Sequence, residues 1–435
     1  MTTTPGSSTA PAAGAVPDIP DRVRAMFANQ AEWLVRYAAA RDGAINSNRV
    51  WRNGDLIAAI TSSTGVLIHR QDQDAAAVRL DVALSWLKTQ GSGDVLVWSA
   101  TRRPSLDLPL ASRGCGDGFV PLWMWCDLAL MNAETPTLGD IEISLATSDD
   151  RRAMRAVSGV PNLGPDNLPV MLDLAEAPGT TGAVWLLLAR NRRQIIGGGA
   201  INLTGEGQGI VAGLYNLGVR PDMQGRGIGT ALTLALCRIA SARGAVGIAL
   251  NATPAGEKVY RKVGFVETGC GQTWFLPADR LRSLPDPATI RQAKALGSGA
   301  IDALDPSLAR TLQMSNCETP LTFAARFGRR ESVQWLIANG AEPDILALWK
   351  VGLRDEAIAA MRDACYLNAR GGPGQVTPLH EAVRDDDPEL VRLLVDAGAD
   401  LSIEDGQYRS TPLGWAKALG RPHLARILEA KAARP

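Results

Sequence analysis

Three glycines set two residues apart, Gly225, Gly227 and Gly229, stand between an apolar run, Val211 to Val219, and a stretch patterned as a helix. A strand that ends in such a turn and continues as a helix points backbone N–H groups and the positive helix end at one place. A pyrophosphate can be held there with little help from side chains. Taken alone, the loop also reads as a dinucleotide-binding turn or as an ordinary tight turn. The dinucleotide fold wants an acidic residue about 20 residues on, at the end of the next strand. Here the next strand, Val246 to Leu250, runs into Asn251-Ala252-Thr253-Pro254 and meets no acid.

The run Gln224-Gly225-Arg226-Gly227-Ile228-Gly229, preceded by Val219-Arg220-Pro221, resembles the Gln/Arg-x-x-Gly-x-Gly/Ala signature of the GNAT superfamily of acyl-CoA N-acyltransferases. Downstream, Tyr260-Arg261-Lys262-Val263-Gly264-Phe265 is similar to that superfamily's Tyr-x-x-x-Gly-Phe signature. The resemblance implies an acetyl-CoA cosubstrate and an amine acceptor. It implies that Gln224 and the backbone from Gly225 through Ile228 and Gly229 to Thr230 hold the pyrophosphate, with Arg226 and Thr230 as side-chain contacts. A side chain at Gly227 or Gly229 should then block binding. Main-chain groups of Leu217 and Val219 would pair with the pantetheine arm, and an N–H there would polarise the thioester carbonyl. Gly218 between them suits the bulge that splays this strand from its neighbour. Tyr260 stands where a phenol protonates the leaving thiolate in relatives. Thr253 occupies a position where relatives often carry an Asn that touches the coenzyme.

A protonated amine must lose its proton before it attacks, and many relatives place a Glu on the central strand for this. Tyr215 and Asn216 occupy that region here, and the nearest acids by pattern are Asp173 and Glu176. A weakly basic acceptor, or proton loss to bulk solvent, is equally compatible.

At 435 residues and 46% hydrophobic content the chain can bury several cores. The 45 Lys and Arg balance the 45 Asp and Glu, and no run of five or six like charges points to nucleic acid or a membrane surface. The six cysteines lack Cys-x-x-Cys spacing and the three histidines lie in separate segments, so neither a metal nor a Ser-His-Asp site is expected. A cytoplasmic location fits this cysteine usage. No stretch reaches the roughly 18 apolar residues of a membrane span, and residues 1–20 read as a disordered leader.

From Arg22 to about Met131, helices (Val23 to Ala40, Ala75 to Leu87) alternate with strands (Leu56 to Ile60, Val66 to Ile68, Val95 to Ser99, Trp123 to Leu130). This order, with Trp98, Pro104, Arg113-Gly114 and Asp127-Leu128, resembles the N-terminal half of tandem GNAT proteins. No glycine loop precedes its helix at 75, so this half is not expected to bind coenzyme. In the second half, helices at Asp149 to Val157 and Leu168 to Ala175 are expected to form the acceptor-side wall. Gly197-Gly198-Gly199 is expected to leave room for a ligand.

Beyond Leu284 to Pro287 the pattern changes. Thr319-Pro320-Leu321, Thr377-Pro378-Leu379-His380 and Thr411-Pro412-Leu413 recur, each followed by two short apolar helical runs. They resemble ankyrin repeats. The spacing from Thr377 to Thr411 is close to one ankyrin period, while that from Thr319 to Thr377 leaves space for a degenerate repeat at about Leu346 to Leu367. A capping unit around Ala303 to Leu308 should precede them, and His380 should bond backbone in its turn.

The expected architecture is an α/β (α+β) tandem GNAT fold with a C-terminal all-α ankyrin-repeat domain. Its parts are the leader, a degenerate GNAT-like domain at 21–135, a catalytic domain at 140–280 and the repeats at 288–435. Two functions follow: an N-acetyltransferase with a protein-binding or self-packing arm, or a catalytically silent acyl-CoA-binding scaffold that acts through its repeats.

Overall fold

The computed structural model describes residues 19–432, apart from 41–48, 54–55, 62–63, 70–75, 102–103, 132–133, 178–181, 309–311, 313, 315–317 and 372–373. Most of the leader, the stretch just ahead of the helix at 75, and Cys317 therefore lie outside the described residues. The chain forms two compact units, Met1–Arg103 with Asp117–Arg282, and Pro104–Gly116 with Ser283–Pro435.

Among the described residues the strands are β1 (Val50–Asn53), β2 (Leu56–Ile60), β3 (Gly65–His69), β4 (Val95–Ser99), β5 (Gly116–Asp117), β6 (Leu122–Asp127) and β7 (Ile141–Leu145), then β8 (Val184–Asn191), β9 (Gln194–Thr204), β10 (Val211–Val219), β11 (Gly247–Ala252), β12 (Val266–Cys270) and β13 (Gln272–Leu276). They make two sheets, one ordered β1-β2-β3-β4-β13-β5 and the other β12-β6-β11-β10-β9-β8-β7. The sequence places Trp123 to Leu130 at the end of the first half and Trp274 to Leu276 at the end of the second. In the structure the halves exchange these strands: β6 pairs with β11 and β12, and β13 pairs with β4. Along β6, Trp123 and Trp125 enter one core while Met124 and Cys126 enter another. A strand apolar on both faces fits any buried position, so its partner cannot be read from its pattern.

Among the described residues ahead of Pro287, the α-helices are α1 (Ile19–Ala40), α2 (Ala76–Thr89), α3 (Pro104–Ala111), α4 (Arg151–Arg155), α5 (Leu168–Glu176), α6 (Ile228–Ala242), α7 (Pro254–Val263) and α8 (Ala278–Arg282). The apolar stripe of α6, with Ile228, Leu232, Leu236 and Cys237 all buried, packs on one face of the second sheet. On the opposite face, Trp33 and Tyr37 of α1 join Met171 and Leu172 of α5 in a separate core. Met26 and Phe27 of α1 continue into a core with Ile57, Trp98 and Trp123.

The second unit stacks helix pairs. Pro320–Arg326 pairs with Arg330–Ala338, Ile345–Lys350 with Arg354–Ala360, Pro378–Arg384 with Pro388–Asp396, and Pro412–Ala418 with Pro422–Ala432. Thr319, Thr377 and Thr411 each precede a proline at the first helical position, where the missing N–H costs nothing. The degenerate repeat is the second pair. Ala303 to Leu308, expected as a capping unit, instead contributes to two single 3-10 turns after the helix Pro287–Ser298. His380 bonds backbone as expected: its Nε2 lies 3.0 Å from the Ser410 carbonyl and its Nδ1 2.9 Å from Thr377 Oγ1. The carbonyl can only accept, so Nε2 carries the proton and Nδ1 accepts.

Candidate active site

The central strand β10 pairs with β11 only from Val211 to Gly213. From Leu214 onward it has no register partner in β11, and its register with β9 skips Asn216 and Leu217. Asn216 takes a left-handed conformation, φ 53°, which marks the bulge. Gly218 belongs there for a second reason, since a Cβ would fall on the Pro161 carbonyl oxygen. Leu217 is half-buried against the core, and the Val219 carbonyl accepts a hydrogen bond from Gln224 Nε2 at 3.0 Å.

At the end of β10 the chain turns through Gly225 and Gly227, at φ 76° and 80°, and α6 begins at Ile228. Ile228 is buried in the core and only its backbone belongs to the loop, whereas Arg226 is exposed and Thr230 half-buried. The Gly227 carbonyl starts the helical ladder by accepting from Ala231. The N–H groups before Ala231 therefore precede the ladder and face outward, as a helix N-terminus requires. The two glycines expected to be intolerant differ: a Cβ at Gly227 would crowd Pro136 at 2.8 Å, but one at Gly229 meets nothing closer than Val259, 3.8 Å away.

Thr253 caps α7, its Oγ1 accepting from the Gly256 N–H at 3.2 Å. Tyr260 is buried in α7, its ring 5.7 Å from that of Phe265. Burial raises its pKa to about 12, so the phenol stays protonated.

Between the splayed strands and α1 lies a cavity of about 340 Å³. Leu214 to Asn216 of β10 and Ala249 to Asn251 of β11 form its floor, and Thr253 lies at its edge. Met26, Gln30, Trp33 and Leu34 of α1 cover it, with Trp98, Trp123 and Asn162 around the sides. Trp33 stacks on Tyr215 with ring centroids 4.6 Å apart. Tyr215 donates to Asn29 Oδ1 at 2.7 Å, and Asn29 Nδ2 donates to the Asn202 carbonyl at 2.9 Å, which ties α1 to the sheet.

Three expectations need correction. Asp173 and Glu176 do not approach the cavity: both pair with Arg151, at 2.6 and 2.9 Å, on the surface. The helices at 149–157 and 168–175 pack as core, none of their described residues lines this cavity, and Met171 reaches Asn216 through its sulfur at 3.3 Å. The cavity is covered instead by α1 of the N-terminal half, through Met26, Gln30, Trp33 and Leu34. The space at Gly197, Gly198 and Gly199 is filled by protein: a Cβ would meet the Gly218 carbonyl, the Leu187 carbonyl and the Leu217 side chain, each within 2.8 Å. Cys237 is buried inside α6, and burial pushes its thiol well up, in keeping with a core residue.

Residues 181–267 match the family described as the acetyltransferase (GNAT) domain, and residues 316–347 and 375–406 match the ankyrin repeat. The chain thus joins a GNAT acetyltransferase domain, within mixed α/β sheets, to an all-helical region of ankyrin repeats. Ankyrin repeat and SOCS box protein 6 from Homo sapiens and from Pongo abelii are each 28% identical over 137 residues, 30% of this chain and 32% of theirs. The chain therefore spans about a third of the length of the curated relatives it matches. A solved GCN5-related N-acetyltransferase from Kribbella flavida aligns at 15% identity and TM-score 0.43, over 58% of this chain and 98% of its own. A tandem GNAT protein from the clavulanic acid biosynthesis pathway aligns at 12% and 0.39, over 58% and 95%. No helix among the described residues is long and apolar enough to cross a membrane.

Proposed function

We propose that the first unit is an acetyl-CoA-dependent N-acetyltransferase acting on an amine of a small molecule or protein. The observation that carries this reading is the splay of β10 from β11 beside a glycine loop that opens α6. An extended amide chain such as pantetheine can take the place of the missing strand partner, bonding the backbone near Leu217 and Val219. The N–H groups from Gly225 to Thr230 then meet the pyrophosphate at the helix N-terminus. An N–H at Leu217 would stabilise the oxyanion as the thioester carbonyl is attacked. Tyr260, protonated across the physiological range, is suited to donate to the thiolate and unsuited to act as base.

The ankyrin repeats bury faces that no single repeat could bury and present a surface for another protein. One observation favours a second reading, a silent acyl-CoA-binding scaffold: among the described residues lining the cavity none is a carboxylate or histidine that could take the acceptor's proton.

Calorimetric titration of acetyl-CoA separates the two when followed by free-thiol release across a panel of amines. Gly229→Val is the informative control, because the protein itself leaves room for a side chain there. It should weaken acetyl-CoA binding at least about tenfold, equal to 1.4 kcal/mol, with Tm unchanged. Binding without amine-dependent thiol release would favour the scaffold, and no binding by the wild type would sink both.

A further inference from the structure

We infer that the cavity beneath α1 selects an acceptor whose amino group is already unprotonated near neutral pH, an arylamine carrying a polar ring substituent. The inference rests on the acyl-transfer reading above and names its substrate class. None of the described residues lining the cavity carries a charge. An alkylammonium ion entering it would shed part of its hydration with no carboxylate to receive it, which is costly. Tyr215, the titratable group on the floor, cannot take the proton: burial raises its pKa and its hydroxyl is already donated to Asn29.

The walls select for a flat ring. Trp33, Trp98, Trp123 and Tyr215 present aromatic surface on several sides, and about 340 Å³ suits a one- or two-ring compound. A long acyl tail fits the same volume less well, because it would leave polar groups unpaired. Gln30 is 8% exposed and lines the cavity, and among the described residues none hydrogen-bonds its amide. With the Asn251 side chain across the cavity, it offers neutral donors and acceptors to a ring substituent.

The chemistry closes without a protein base. The amine lone pair forms the C–N bond at the acyl carbon, and the C–S bond breaks with its electron pair going to sulfur. The nitrogen then loses one proton to water while the thiolate gains one from Tyr260 or solvent, leaving an amide and a free thiol.

The test pairs 4-methoxyaniline with 4-methoxybenzylamine, similar in shape but opposite in protonation at neutral pH. Thiol release from acetyl-CoA is followed from about pH 6.5 to about pH 9, and each amine's binding is read from tryptophan fluorescence. The aniline should turn over at least about tenfold faster at neutral pH with a nearly flat profile, while the benzylamine rate climbs about tenfold per pH unit. Gln30→Leu, which breaks no protein hydrogen bond, should raise KM for the aniline about tenfold and spare kcat. Preference for the benzylamine at neutral pH, an unchanged KM in Gln30→Leu, or faster turnover with a long-chain acyl-CoA would each overturn the inference. Calorimetry keeps the failures apart: acetyl-CoA bound but arylamine refused defeats this inference alone, whereas no acetyl-CoA binding defeats the acyltransferase reading beneath it.

Discussion

Tyr260 shows how a single residue's environment narrows its chemistry. Burial without a charged neighbour raises its pKa to about 12, so it can give a proton but cannot hold an anionic form near neutrality. Among the described residues its hydroxyl has no hydrogen-bond partner, so removing it breaks nothing in the fold. Tyr260→Phe should therefore lower kcat by about 10²-fold or more while stability stays within about 0.5 kcal/mol of wild type. Steady-state kinetics beside a thermal melt checks both halves, and an unchanged kcat would remove Tyr260 from the chemistry. The wild-type kcat should also show no loss attributable to this phenol up to about pH 10, two units short of its pKa.

Among the elements, α7 is held by local rules at both ends. Thr253 caps its start, Pro254 follows at the first helical position, and Gly264 ends it in a left-handed conformation, φ 110°. The Oγ1 of Thr253 is engaged in the cap, so any role toward coenzyme is shared with that duty. Thr253→Ala should cost about 1 kcal/mol of stability, read as a Tm drop of about 2–4 °C. Helix α1 is held differently, by long-range bonds from Asn29 and a stack from Trp33, neither of which leaves a local mark in the sequence.

At the scale of the whole molecule, chain order and unit membership part company. The segment Pro104–Gly116 lies between strands of the first unit in sequence, yet belongs to the compact unit that holds the repeats. Leu108 of α3 packs against the core that includes Leu296 and Phe323. Truncation after Arg282 should leave that apolar face uncovered and produce a less soluble protein with a lower Tm, measurable by light scattering and calorimetry. A soluble, equally stable fragment would show that α3 does not need the repeats. Acid should loosen the repeats first. Burial lowers the His380 pKa below its ordinary 6.5, so the unfolded chain takes up the proton first as pH falls. The stability it contributes is complete above about 6.5 and is lost as pH drops from there through the folded pKa. His380→Gln should flatten this part of the stability–pH curve in chemical denaturation.

Much of the candidate site was legible along the chain. Glycine spacing, the Thr-Pro starts of repeats and the apolar period of α6 are local consequences of backbone sterics and helix geometry, and a linear pattern records them directly. The tertiary structure alone decided which strands exchange between sheets, that α1 covers the cavity, and that Asp173 and Glu176 are spent on Arg151. The strand exchange and the place of α1 depend on which buried faces meet across more than a hundred residues, and the Arg151 pairs depend on how two helices come together on the surface. Apolar packing is non-directional, so a strand or stripe that must be buried does not state its partner.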